Sequence, residues 1–142
     1  YYCLSNNEKF FAVSGDDNTV KIYRNYGDIC ESKIFTQISL KFSASVLALY
    51  VDDFDNGRLS GLVGVSKGSD LYVYDIEGKL ILELPKAHDA EIISLYITKD
   101  DLKRKESGEK DELKIEDGNK NLDFCLISSG KDGRIKFWKI MN

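Results

Sequence analysis

The chain is poor in the residues that most often carry chemistry. Among 142 residues there is one histidine (His88), one tryptophan (Trp138), one methionine (Met141) and one proline (Pro85). Cys3, Cys30 and Cys125 are odd in number and far apart, with no C-x-x-C spacing. That pattern favours thiols in a reducing compartment over disulfides or a metal cluster. No apolar run approaches the roughly 18 residues of a membrane span, and nothing resembles a signal peptide. The formal net charge of −4 argues against the basic footprint that direct nucleic-acid binding by this chain would need. Because the sequence opens YYCLS and its only methionine is Met141, it reads as an excerpt or a processed piece.

Short β-like runs fill the rest. FFAV (10–13), TVKIY (19–23), VLALYV (46–51), LVGV (62–65), LYVY (71–74), LILEL (80–84), EIISLYI (91–97), FCLI (124–127) and RIKFW (134–138) are each of strand length. Gly, Asn, Asp or Ser separates them. Several alternate with period two, so that Ile135 and Phe137 face one way while Arg134 and Lys136 face the other. With one proline and no long 3.6-residue period, the fold class is all-β.

Three stretches repeat one another: FFAVSGDDNTVKIYRN (10–25), GLVGVSKGSDLYVYDI (61–76) and CLISSGKDGRIKFWKI (125–140). Each is an apolar strand, a Ser-Gly or Ser-Lys-Gly, a tight polar turn, and an alternating strand ending in Tyr23, Tyr74 or Trp138. These aromatics lie 51 and then 64 residues apart, longer than the ~40–45 of a four-strand propeller repeat, so insertions are expected. The units resemble WD40 repeats of a β-propeller, most clearly the third. Tyr74-Asp75 stands where the Trp-Asp pair of such a repeat would be, and Ala87-His88 stands where the family has Gly-His.

The resemblance implies blades of four antiparallel strands, a to d. About three are expected (1–40, 41–86 and 87–142), the last lacking its outer strand, as a portion of a larger propeller that needs further blades to close. It also maps the family's structural tetrad onto His88, Ser128, Asp132 and Trp138. An indole N–H can donate to the serine, the serine to the imidazole, and the imidazole to the carboxylate, so each buried donor has an acceptor. In an ungapped comparison Val13 and Gly64 stand at the position of Ser128, and Asp17 and Gly68 at that of Asp132, so those blades are expected to rely on packing. The segment 99–121 of the third blade, KDDLKRKESGEKDELKIEDGNKN, mixes both charge signs and reads as a solvated insertion. The alternative is a docking segment, helical around 100–114, with Ser107 as a candidate phosphosite.

Other motifs fail on chemistry. In VDDFDNG (51–57) Phe54 occupies an EF-hand ligand slot and no Glu closes the loop. GVSKGSD (64–70) lacks the Gly-Lys-Ser/Thr of a P-loop and runs into a strand. With His88 given a structural role, no Ser-His or Cys-His catalytic pair can be assembled. Catalytic, cofactor and metal residues are accordingly expected to be none. The functional expectation is a non-catalytic protein-interaction scaffold inside the cell, cytoplasmic or nuclear, without membrane association. The alternatives are a propeller subunit of a ribonucleoprotein or chromatin assembly, and a propeller enzyme whose catalytic residues lie outside this chain. The candidate partner-binding residues are Asp16, Lys67 and Lys131 in the b–c turns and Lys86 in a d–a loop, where a peptide or a partner's loop is expected to sit.

Overall fold

The structure, a computed structural model, describes residues 3–6, 9–25, 32–53, 59–99 and 124–140. Tyr1, Tyr2 and nearly all of the charged insertion, Ser107 included, lie outside the described residues. The described chain forms eleven strands: β1 (Cys3–Asn6), β2 (Phe10–Ser14), β3 (Thr19–Asn25), β4 (Ser32–Ser39), β5 (Val46–Asp53), β6 (Leu59–Lys67), β7 (Asp70–Asp75), β8 (Leu80–Leu84), β9 (Ile92–Lys99), β10 (Phe124–Gly130) and β11 (Ile135–Ile140). They make three antiparallel sheets in chain order, β1–β4, β5–β8 and β9–β11, here called blades 1, 2 and 3. β1 lies against β5 and β5 against β9, so the first strands of the blades converge on a common side.

Alternation becomes packing because each blade is covered on the faces that meet another blade. In blade 2 the cross-strand row Ala48–Gly64–Val73 is buried and belongs with Leu126 and Ile97 of blade 3. Gly64 permits this approach: a Cβ there would lie 3.4 Å from the Cδ1 atoms of both Ile97 and Leu126. The opposite row, Leu49–Val63–Tyr74, packs with Phe10, Ala12, Val20 and Ile22 of blade 1. Blade 3 directs Ile97–Leu126–Trp138 at blade 2. Its other row, Tyr96–Ile127–Phe137, looks outward; Tyr96 is 61% exposed and Phe137 68%, with Ile93 and Ile135 similarly open. Between blades 2 and 3, Ser66 Oγ is buried with no hydrogen-bond partner among the described residues.

The register corrects the ungapped comparison of blade 2. Leu126 pairs with Trp138 and Val63 pairs with Tyr74, so Val65, not Gly64, stands at the position of Ser128. The b–c connection of blade 2 is one residue shorter, and a slip of one residue moves a side chain to the other face of a strand. Gly68 likewise loses its equivalence to Asp132. It takes φ +61° in a two-residue turn between Lys67 and Asp70, a left-handed conformation that glycine adopts without steric cost. Blade 1 needs no gap: Phe11 pairs with Tyr23 and Val13 with Lys21, as Leu126 does with Trp138 and Ser128 with Lys136.

Candidate functional site

The structure brings His88, Ser128, Asp132 and Trp138 together. Trp138 Nε1–H donates to Ser128 Oγ at 2.9 Å. Ser128 Oγ lies 2.7 Å from His88 Nε2, and His88 Nδ1 lies 3.1 Å from both Asp132 oxygens. A neutral imidazole with its proton on Nδ1 gives each hydrogen an acceptor: indole to hydroxyl, hydroxyl to Nε2, Nδ1–H to carboxylate. Asp132 also accepts the backbone N–H groups of Asp89 at 2.9 Å and Arg134 at 3.0 Å. It therefore holds its own b–c turn and the incoming loop at once. Lys136 Nζ donates to Ala87 O at 2.7 Å while lying 5.7 Å from the centre of the Trp138 ring. Gly130 makes the approach possible, since a Cβ there would lie 2.8 Å from His88 Nδ1.

Burial works to raise the pKa of Asp132, but the hydrogen bonds from Asp89, His88 and Arg134 outweigh it and hold the value at about 2 instead of 3.8. A depressed folded-state pKa means that the ionised carboxylate favours the fold. Its contribution is complete above about pH 4 and is lost as pH falls through about 2. The melting midpoint of Asp132→Asn is therefore expected below that of the unaltered chain at neutral pH, with the gap narrowing between pH 4 and 2. A gap constant across that window would remove the carboxylate from this role.

Blade 2 fills the same place with apolar groups. Phe42, in the loop between β4 and β5, lies tilted against Tyr72 with ring centroids 4.7 Å apart and packs against the cluster that contains Val65. Lys67 Nζ lies 5.8 Å from the centre of the Phe42 ring. Sequence reasoning missed Phe42, yet a signal exists: it precedes Val46 by four residues, as His88 precedes Ile92. In blade 1, Asp17 keeps the turn-holding part of the aspartate's work. Its Oδ1 accepts Thr19 Oγ1–H at 2.8 Å and Thr19 N–H at 3.2 Å. The Thr19 hydroxyl is the main cause of its lowered pKa, against a smaller opposing effect of burial, with Lys21 adding to the lowering.

The connecting loops and turns are stitched into one rim. The loop before β5 meets blade 1's b–c turn through Leu40 N–H to Asn18 O at 2.8 Å and Ser43 Oγ–H to Asn18 Oδ1 at 3.0 Å. It meets blade 2 through Ser45 N–H to Ser66 O at 2.8 Å. The loop before β9 meets blade 2 through Ile92 N–H to Gly68 O at 2.9 Å, and blade 3 through Lys131 N–H to Glu91 O at 2.8 Å. Asp16, Lys67, Lys86 and Lys131 are all exposed on this rim. Lys131 pairs with Glu91 at 3.1 Å. Lys86 has φ +54°, uncommon for a residue with a Cβ, and its N–H donates to Asp70 Oδ1 at 2.9 Å. Among the described residues no group of three or more His, Cys, Asp or Glu side chains is placed to hold a metal ion.

Stacked antiparallel sheets whose first strands converge, with loops crossing from each outer strand to the next inner one, define the blades of a β-propeller. Residues 2–24, which span β1, β2 and all but the last residue of β3, match the family of the WD domain, G-beta repeat. The match supports a WD40-repeat assignment for blade 1. No curated protein matches it.

Proposed function

We propose that the chain is a non-catalytic protein-interaction scaffold of an intracellular multiprotein complex, and that a peptide or a partner's loop docks on the rim carrying Asp16, Lys67, Lys86 and Lys131. WD40 domains are in general scaffolds that bind other proteins. The observation that carries the rim reading is its continuity. Each d–a loop is hydrogen-bonded to the b–c turn of the blade before it and to the blade after it, so charged side chains from three blades are presented on one fixed surface. Loops held by a rigid scaffold are where binding residues concentrate. Three lysines give the surface an attraction for acidic segments, which acts mainly on the rate of encounter.

The apolar face bearing Ile93, Tyr96, Ile135 and Phe137 belongs, in this reading, against a further blade. Blades 1 and 2 each bury the corresponding face in that way.

Reversing charge at Lys67 and Lys131, both to Glu, is expected to slow association with partners recovered by pull-down by about tenfold or more at low salt. The melting temperature should stay within about 2 °C of the unaltered chain, since exposed charges contribute little to stability. A folded double variant that associates with every recovered partner at the original rate would move the site off the rim.

A further inference from the structure

We propose that a second recess, on the face of blade 1 away from blade 2, receives a d–a loop bearing an apolar or aromatic side chain at the position that His88 holds in blade 3. This rests on the reading above, in which the loop comes from a further blade. The recess has a volume of about 350 Å³ and is lined in part by Val13, Gly15, Asp17, Lys21 and Tyr23. These five residues stand at the positions of Ser128, Gly130, Asp132, Lys136 and Trp138, with a constant spacing along the sequence and matching strand pairs. Those are the five residues that enclose Ala87-His88-Asp89.

The equivalences supply the recognition chemistry. Asp132 accepts the N–H of Asp89 and lies beside His88, and Asp17 offers a carboxylate at the same point of the same turn. Lys136 donates to the Ala87 carbonyl. Lys21 offers the same donor and currently reaches Asp17 Oδ2 at 3.4 Å. Gly130 leaves space for an imidazole, and Gly15 stands at the same position of blade 1. Tyr23, stacked on Phe11 with centroids 5.1 Å apart, supplies the aromatic wall that Trp138 supplies in blade 3.

What differs is the residue at the position of Ser128. In blade 3 a serine there is matched by His88. In blade 2 Val65 stands there and the loop carries Phe42, which packs against the core cluster that includes Val65. Blade 1 has Val13. A valine offers no hydroxyl to Nε2, so an imidazole buried there would keep an unpaired ring nitrogen, which is unfavourable. An apolar side chain meets no such penalty.

The chain's own loops provide the probes. The capped hexapeptide LKFSAS (residues 40–45) is titrated into the chain and followed by amide NMR shifts. At up to about 5 mM peptide, shifts are expected at Val13, Gly15, Asp17, Lys21 and Tyr23. The same peptide with Phe42→His should bind about tenfold more weakly, and the Val13→Ser variant of the chain should reverse that preference. Absence of shifts at those five residues, or an unchanged preference in Val13→Ser, overturns the proposal. Neither outcome bears on the Lys67 and Lys131 reversal, which reads the rim alone.

Discussion

His88→Ala is expected to lower the stability of the chain by about 3 kcal/mol and its Tm by roughly 10 °C. Ser128 is fully buried, and its hydroxyl would lose the acceptor it now has at 2.7 Å. A stranded buried hydroxyl costs about 1–3 kcal/mol. The cavity left by removing the imidazole adds to this, because the ring is itself 1% exposed and sits against Gly130. Gly130→Ala is a useful companion. It removes no polar group, but its Cβ would press on the imidazole at Nδ1 and on Asp132 Oδ1. Thermal melting checks both. An unchanged midpoint for His88→Ala would show that the hydrogen-bonded set does not hold blade 3 to the loop from blade 2.

Leu126→Ala is expected to cost a similar amount or more, about 2–5 kcal/mol. Leu126 is wholly buried, pairs across strands with Ile97 and Trp138, and projects into the space that Gly64 leaves open on blade 2. Loss of the isobutyl group therefore opens a cavity at the interface between two blades, where neighbours in rigid sheets relax poorly. Chemical denaturation measures it. A loss under about 1 kcal/mol would mean that blades 2 and 3 are not packed through this row.

These residues also show how far the sequence could be read. The strands were legible because alternation and turn residues are local signals. His88, Ser128, Asp132 and Trp138 came from the resemblance to WD40 repeats; the pairing needs of buried polar groups explain why they belong together but did not single them out. Blade 2 was harder. A connection one residue shorter put Gly64 in the place that Val65 holds, and period-two geometry turns that slip into the wrong face. Phe42 was missed because a hydrophobic substitute for histidine leaves no polar signature; only its distance from the next strand marks it. In β11, alternation separated Ile135 and Phe137 from Trp138 and Ile140. It could not say which side another blade would cover, since that depends on which sheet lies beside it.

The central claim, that partners dock on the hydrogen-bonded rim, is tested most directly by hydrogen exchange of the chain with and without a partner recovered by pull-down. The account predicts added protection in the peptides that contain Asp16, Lys67, Lys86 and Lys131, with exchange in β10 little changed. Protection confined to other surfaces, with all four rim segments exchanging as in the chain alone, would contradict it.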